Sequence, residues 1–283
     1  MSDFYKYHGL GNDYLVIDPK KIKIHLSENN IRLICDRNRG VGSDGILYGP
    51  IMKEGRIAFR IFNPDGSEAE KSGNGIRIFA RYLKDAGYVK ENSFTVSTIS
   101  DNADVEIIDK KKHLFKVNMG RPSFNSKDIP MTGEERLVIN EKLKIGYETY
   151  TVTCLSIGNP HCVIILDDIS KELANNIGPK IENDPLFPRR INVQFVKVIN
   201  RNAIELQIWE RGAGYTLASG SSSCAAVSAA HKLGLVDTRV TAYMPGGELE
   251  IDINPDGYIH MTGTVISVCE GVFSHEFLKS ITE

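Results

Sequence analysis

An α+β protein of two similar mixed domains is what this sequence predicts, on three observations. Landmarks recur at one fixed offset, short β-branched and aromatic runs fill most of the chain, and few helical patterns lie between them. Gly11-Asn12-Asp13-Tyr14-Leu15-Val16-Ile17 is matched by Gly158-Asn159-Pro160-His161-Cys162-Val163-Ile164, an offset of 159 − 12 = 147 residues. Ser72-Gly73-Asn74-Gly75, running on to Gly87, is matched at the same offset by Ser219-Gly220-Ser221-Ser222, running on to Gly234. Three landmarks in one register point to duplication rather than chance. The register also sets Asn63 opposite Glu210 and Gly45 opposite Asn192. A cleft between two such halves, lined by equivalent residues from both, is the expected ligand site.

The strands expected are Tyr14–Ile17, Ile57–Phe62, Ser93–Ser97, Leu114–Asn118, Glu148–Ser156, Cys162–Leu166, Val193–Val198, Ala203–Ile208 and a pattern over Tyr258–Val268. Gly, Pro, Asn and Asp punctuate these runs. Ile31–Arg37 and Ser170–Asn176 read as helices. The two clearest helices are the repeated ones. Ile76, Phe79, Ala80 and Leu83 share one face, with Arg77, Arg81 and Lys84 largely on another and Gly87 as the stop. In the second copy Cys224, Ala225, Val227, Ala229 and Ala230 make a small-residue helix stopped by Gly234. Residues 1–118 with 267–283 are expected to form the first domain and 119–266 the second, since the first half needs a C-terminal strand near Gly263–Phe273.

Composition narrows the function classes. The 283 residues carry 34 Lys+Arg against 36 Asp+Glu, a formal net charge of −2, so no basic surface marks a partner in nucleic acid or an anionic membrane. No apolar run is long enough to cross a bilayer, and the first residues show no signal-peptide pattern. Five scattered Cys without a Cys-x-x-Cys pair favour neither a disulfide framework nor zinc, so a reduced, cytoplasmic protein is expected. Gly40-Val41-Gly42-Ser43-Asp44-Gly45 lacks the strand, helix and downstream acid of a dinucleotide fingerprint. His8, His161 and His231 have no metal-ligand spacing and read as structural.

The chemistry rests on the repeated helix starts. Ser caps a helix by accepting a bond from an orphan backbone N–H, and the Gly after it lets a ligand approach the exposed amides. Two such starts could clamp one carboxylate and leave Ser72 and Ser219 on opposite sides of the carbon attached to it. One group would then remove a proton from one face while its twin supplies a proton to the other. Each Ser also reads as a plain N-cap; the shared register is what favours a paired site. Asn63-Pro64-Asp65-Gly66-Ser67 is a turn signal, and Glu210-Arg211-Gly212-Ala213-Gly214 also reads as a surface loop. Their functional reading makes Asn63, Asn192, Glu210 and Arg211 a polar lining for ammonium and carboxylate groups.

His8-Gly-Leu-Gly-Asn-Asp-Tyr14, Asp36-Arg-Asn-Arg-Gly-Val-Gly-Ser-Asp-Gly45, Asn63-Pro-Asp-Gly-Ser67 with Gly73-Asn-Gly75, Gly158-Asn-Pro-His161 and Glu210-Arg-Gly-Ala-Gly214 resemble diaminopimelate epimerase in order and spacing over nearly the whole chain. The resemblance implies a two-domain fold with the site in the cleft, and inversion at an amino-acid α-carbon without pyridoxal phosphate, metal or other cofactor. It implies a small amino acid such as diaminopimelate as the ligand and, by resemblance alone, a homodimer. Asn12, Asn63, Asn159, Asn192, Glu210 and Arg211 would hold the substrate, while Gly73, Asn74, Gly220 and Ser221 would donate to its carboxylate. The family's two catalytic Cys fall at Ser72 and Ser219, which is the central departure. No residue in either motif is an obvious partner base, Lys71 and Tyr215 being the nearest candidates; Cys224 reads as packing, and by the resemblance Gly45 stands where some members have Gln. The alternatives are a racemase or dehydratase of another amino acid and a non-catalytic amino-acid-binding protein.

Overall fold

The computed structural model describes residues 2–53, 55–70, 72–99 and 102–281. The chain forms two compact units, Met1–Val117 with Gly263–Glu283, and Asn118–Thr262. Unit 1 runs β1 (Phe4–Gly9), β2 (Asn12–Ile17), α1 (Glu28–Cys35), β3 (Ile46–Lys53), β4 (Arg56–Phe62), β5 (Glu68–Ala69), α2 (Gly73–Asp85), β6 (Ser93–Ser97), β7 (Asn102–Asp109) and β8 (Leu114–Gly120), which carries the chain into unit 2. Unit 2 runs β9 (Glu141–Ile145), β10 (Glu148–Ser156), β11 (Pro160–Ile165), α3 (Lys171–Glu182), β12 (Asn192–Asn200), β13 (Ala203–Glu210), β14 (Gly214–Thr216), α4 (Gly220–Lys232), β15 (Arg239–Met244), β16 (Gly247–Ile253) and β17 (Ile259–Thr264). The chain then returns to unit 1 as β18 (Ile266–Gly271) and α5 (His275–Ser280).

The two units share one topology. In unit 1 the pairs β1–β2, β3–β4, β6–β7 and β7–β8 are antiparallel, and β2–β3 and β4–β6 are parallel. Unit 2 repeats every step, with β10–β11, β12–β13, β15–β16 and β16–β17 antiparallel and β11–β12 and β13–β15 parallel. Strand β18 pairs with β1 as β9 pairs with β10. The expected α+β class, two pseudo-symmetric mixed domains each with a central helix, is the fold observed.

Each unit buries its helices against strands. In unit 1, Ile31, Ile34 and Cys35 of α1 pack with Leu15, Ile17, Ile46 and Phe62, and the returning segment adds Phe273 and Ile281. In unit 2, Ala174, Ile177 and Ile181 of α3 pack with Cys154, Cys162, Ile164, Val193 and Phe195. Helices α2 and α4 are 13 residues each and nearly buried all round. α4 tolerates this because its side chains are small, and its hydroxyls bond back into the helix: Ser223 Oγ to Ser219 O at 2.8 Å and Ser228 Oγ to Cys224 O at 2.6 Å.

Some elements differ from expectation. α1 begins at Glu28, three residues before Ile31, because Ser27 caps it through Asn30 N, and it ends before Asp36, whose carboxylate turns the chain by accepting from Asn38 and Arg39 N–H. α3 runs to Glu182, past the expected end at Asn176. β3 was hidden by Gly49-Pro50, where the ladder with β4 shifts register between Tyr48 and Ile51. The run Tyr258–Val268 divides into β17 and β18 at Val265. Arg77, expected on a polar face, is fully buried.

Candidate active site

The starts of α2 and α4 have the same local build. Ser72 (φ −140°, ψ 116°) and Ser219 (φ −147°, ψ 125°) are both extended N-caps. Ser72 Oγ accepts from Gly75 N–H at 3.0 Å, and Ser219 Oγ from Ser222 N–H at 3.3 Å. Such a cap contributes about 1 kcal/mol to its helix. Gly73 and Gly220 are the first helical residues, so the amides that follow each Ser lie at a helix N-terminus, where backbone dipoles favour an anion.

One further contact recurs. Asn74 and Ser221 each stand second in their helix, 221 − 74 = 147 residues apart. In unit 1, Asn74 Nδ2–H donates to Asn12 Oδ1 at 3.1 Å. In unit 2, Asn159 Nδ2–H donates to Ser221 Oγ at 3.4 Å. Asn12 and Asn159 thus bond to equivalent helix positions in their own units.

The shell behind each start is built differently. In unit 1 the buried Arg77 donates to Asn74 Oδ1 at 2.7 Å, and Asn12 Nδ2–H donates to Asp44 Oδ2 at 3.0 Å. Asp44 and Asp13 share the Arg37 guanidinium at 2.8 and 2.6 Å, and Lys6 Nζ adds a 2.9 Å ion pair to Asp13. Burial alone would raise Asp13, but bonds from Arg37 and Lys6 hold its carboxyl below the ordinary range. Burial and the neighbouring Asp13 charge push Asp44 up.

In unit 2, His161 Nε2–H donates to Asn159 Oδ1 at 2.9 Å, and Gln194 Nε2–H donates to Ser222 Oγ at 3.0 Å. Asn192 Oδ1 accepts from Arg211 N–H at 2.9 Å, and its Nδ2–H donates to Pro160 O. These bonds tie the β13–β14 turn, which carries Glu210 and Arg211, to the start of β12. Arg211 Nη1 also donates to Arg189 O at 3.2 Å. Asn63 lies in a turn of unit 1, where Asn63 N–H donates to Ser67 O at 2.8 Å and Nδ2–H to Ser67 Oγ at 3.0 Å.

Full burial is the main reason His161 is pushed down to about 3; the neighbouring Gln194 side chain opposes this, and the Arg211 charge adds to it. The unfolded chain therefore binds this proton below about pH 6.5 while the folded chain does not, so stability falls as pH drops from 6.5 towards 3. His161→Gln is expected to remove about 1.4 kcal/mol per pH unit of that slope. Urea denaturation at a series of pH values checks it, and an unchanged slope would refute the assignment.

Tyr215 is not a base for Ser219, since its hydroxyl donates to Gln207 Oε1 at 2.7 Å. Lys71 lies outside the described residues. Cys224 is fully buried in α4, in keeping with a packing role. Sequence reading missed Arg77, Asp44, Gln194 and Ser222 as supports. Only the 147-residue register could have pointed to Ser222, which follows the repeated helix start. Among the described residues no group of three or more His, Cys, Asp or Glu is placed to hold a metal ion, and no helix is long and apolar enough to cross a membrane.

This fold is that of the amino-acid racemases and epimerases among solved structures. A probable proline racemase from Agrobacterium radiobacter superposes with a TM-score of 0.73 at 14% identity, covering 97% of this chain and 93% of that one. A hydroxyproline epimerase from Agrobacterium vitis gives 0.70 at 12% identity, covering 94% and 90%. The diaminopimelate epimerase family model matches residues 4–125 and 153–268, and the chain belongs to that family. A relative named diaminopimelate epimerase 2, from a Nostoc species, is 54% identical over 274 residues, covering 96% of each chain. A diaminopimelate epimerase from Methanothermobacter thermautotrophicus is 41% identical over 278 residues, covering 95% of this chain and 97% of the relative.

Proposed function

We propose that the chain epimerises diaminopimelate at its α-carbon, an isomerase step of lysine biosynthesis, with Ser72 and Ser219 at the two proton-transfer positions. The observation that carries the reading is the repeated serine-capped helix start, each with its neighbouring Asn bonded to the second helical residue. The family and its near-full-length relatives support the substrate class. In this reading the amides at Gly73, Asn74, Gly220 and Ser221 hold the reacting carboxylate. One hydroxyl position takes the α-proton and the other returns one to the opposite face. Asn12, Asn63, Asn159, Asn192, Glu210 and Arg211 hold the ammonium groups and the distal carboxylate. The reaction needs no pyridoxal phosphate or metal, as the family resemblance implies, and the same resemblance supports a cytoplasmic homodimer.

The test is incubation of the protein with LL-diaminopimelate in deuterium oxide, followed by proton NMR. Loss of the α-hydrogen signal with growth of the meso isomer is expected. No exchange with diaminopimelate or any member of an amino-acid panel would overturn the proposal. Binding by calorimetry without exchange would instead mark an amino-acid-binding protein, and an unsaturated or keto product would mark a lyase.

A further inference from the structure

Ser72 Oγ lies 3.2 Å from the hydroxyl oxygen of Tyr14. Both belong to unit 1, and the contact joins β2 to the start of α2. Tyr14 is buried, and its ring packs against Gly45. A Cβ at residue 45 would come 2.7 Å from Tyr14 Cε1 and 2.4 Å from Phe62 O. A side chain at residue 45 has no place beside that ring. Tyr14, Gly45 and Ser72 are thus packed around one oxygen. The residue equivalent to Tyr14 in unit 2 is His161, which turns its Nε2–H to Asn159 Oδ1 instead. The phenol–hydroxyl contact is therefore a feature of unit 1.

We propose that Tyr14 is the proton-sharing partner of Ser72, a positioning residue that acts through the Ser72 hydroxyl and takes over the ionisation a thiol would perform by itself. The inference rests on the epimerase reading above and deepens it. A serine hydroxyl without a base is seldom an alkoxide at neutral pH, whereas a phenol has an ordinary pKa of about 10. The step starts from the pair after the phenol has lost its proton to solvent. The α-C–H bond breaks and its proton moves to Ser72 Oγ, while the Ser72 hydroxyl proton moves to the Tyr14 phenolate oxygen. The C–H electron pair stays on the α-carbon, spread into the carboxylate held at the helix start. The reverse transfer returns a proton to carbon and regenerates the phenolate, and in deuterium oxide that proton is replaced from solvent.

The experiment is a double-mutant cycle on α-hydrogen exchange, using wild type, Tyr14→Phe, Ser72→Cys and the Tyr14→Phe/Ser72→Cys pair. Phe keeps the ring against Gly45 and removes one oxygen. Tyr14→Phe is expected to lower kcat for exchange about 10²-fold while KM stays within about twofold. In the Ser72→Cys background, where a thiol ionises unaided, the same change is expected to cost no more than roughly threefold. A structural role for Tyr14 would give the same loss in both backgrounds, and that result overturns the inference while leaving the epimerase reading intact. Equal exchange by wild type and Tyr14→Phe overturns it as well. No exchange by wild type overturns the epimerase reading, and this inference falls with it.

Discussion

Returning sulfur to both helix starts, Ser72→Cys with Ser219→Cys, is expected to raise the rate of α-hydrogen exchange with diaminopimelate by about 10³-fold. The reason lies in acidity and place. A free thiol has a pKa of about 8.5 and falls lower at a helix N-terminus, which both positions occupy. A hydroxyl at the same place ionises far less readily. Stability moves the other way. Each Ser oxygen accepts a backbone N–H, and sulfur is a weaker acceptor, so each change is expected to cost about 1 kcal/mol. Ser219 is 3% exposed with the buried Ser222 and Ser223 behind it, so the larger atom is felt more there. Initial exchange rates by NMR and urea midpoints measure both effects. A double-Cys protein that binds diaminopimelate yet exchanges no faster than wild type would show that the surrounding residues no longer support the chemistry.

Loss of the Glu182 carboxylate is expected to be the most damaging single change away from the serines. Its side chain is only 7% exposed and accepts from three donors: Trp209 Nε1–H at 2.7 Å, Gly212 N–H at 2.9 Å and Arg190 Nη1 at 3.1 Å. α3 can bring it there because Gly178 admits the Trp209 side chain; a Cβ at 178 would sit 2.6 Å from Trp209 Cβ. Glu182→Ala strands a part-buried indole N–H and a backbone N–H, with an expected loss of about 3–5 kcal/mol. The Arg190 ion pair contributes little of this, since Arg190 is 54% exposed. Gly212 follows Arg211, so the same change loosens the turn that ties Arg211 to Asn192. KM for diaminopimelate is expected to rise at least about tenfold, with a smaller effect on kcat. Glu182→Gln keeps an acceptor oxygen and is expected to cost about 1 kcal/mol. Urea denaturation and steady-state kinetics decide the matter: a Glu182→Ala protein within 1 kcal/mol of wild type would refute this account of the turn.

The sequence revealed the duplication and the two serine caps because both depend on local chemistry that recurs in register. Ser before Gly at a helix start is visible in four residues. The supports behind them depend on long-range placement and were not visible. Tyr14 stood in a quoted motif, but its hydroxyl meets Ser72 across 58 residues of sequence. Arg77 was expected on a polar face, yet α2 is enclosed nearly all round, so its guanidinium is spent on Asn74 inside the protein. No local pattern marks Glu182; only the folded chain shows three donors converging on it. Gly49-Pro50 broke the pattern of β3 because proline offers the ladder no N–H.

The pairing of β18 with β1 has a consequence for biosynthesis. Unit 2 is continuous in sequence and has all its strands once β17 has emerged, whereas unit 1 lacks the neighbour of its first strand until residues 266–271 follow. During translation at about 5–20 residues per second, the second half of the duplication can mature while the first still waits, so the order of ripening reverses the order of synthesis. For that interval β1 exposes an unpaired edge on the nascent chain, where a chaperone that shields strand edges would have its work.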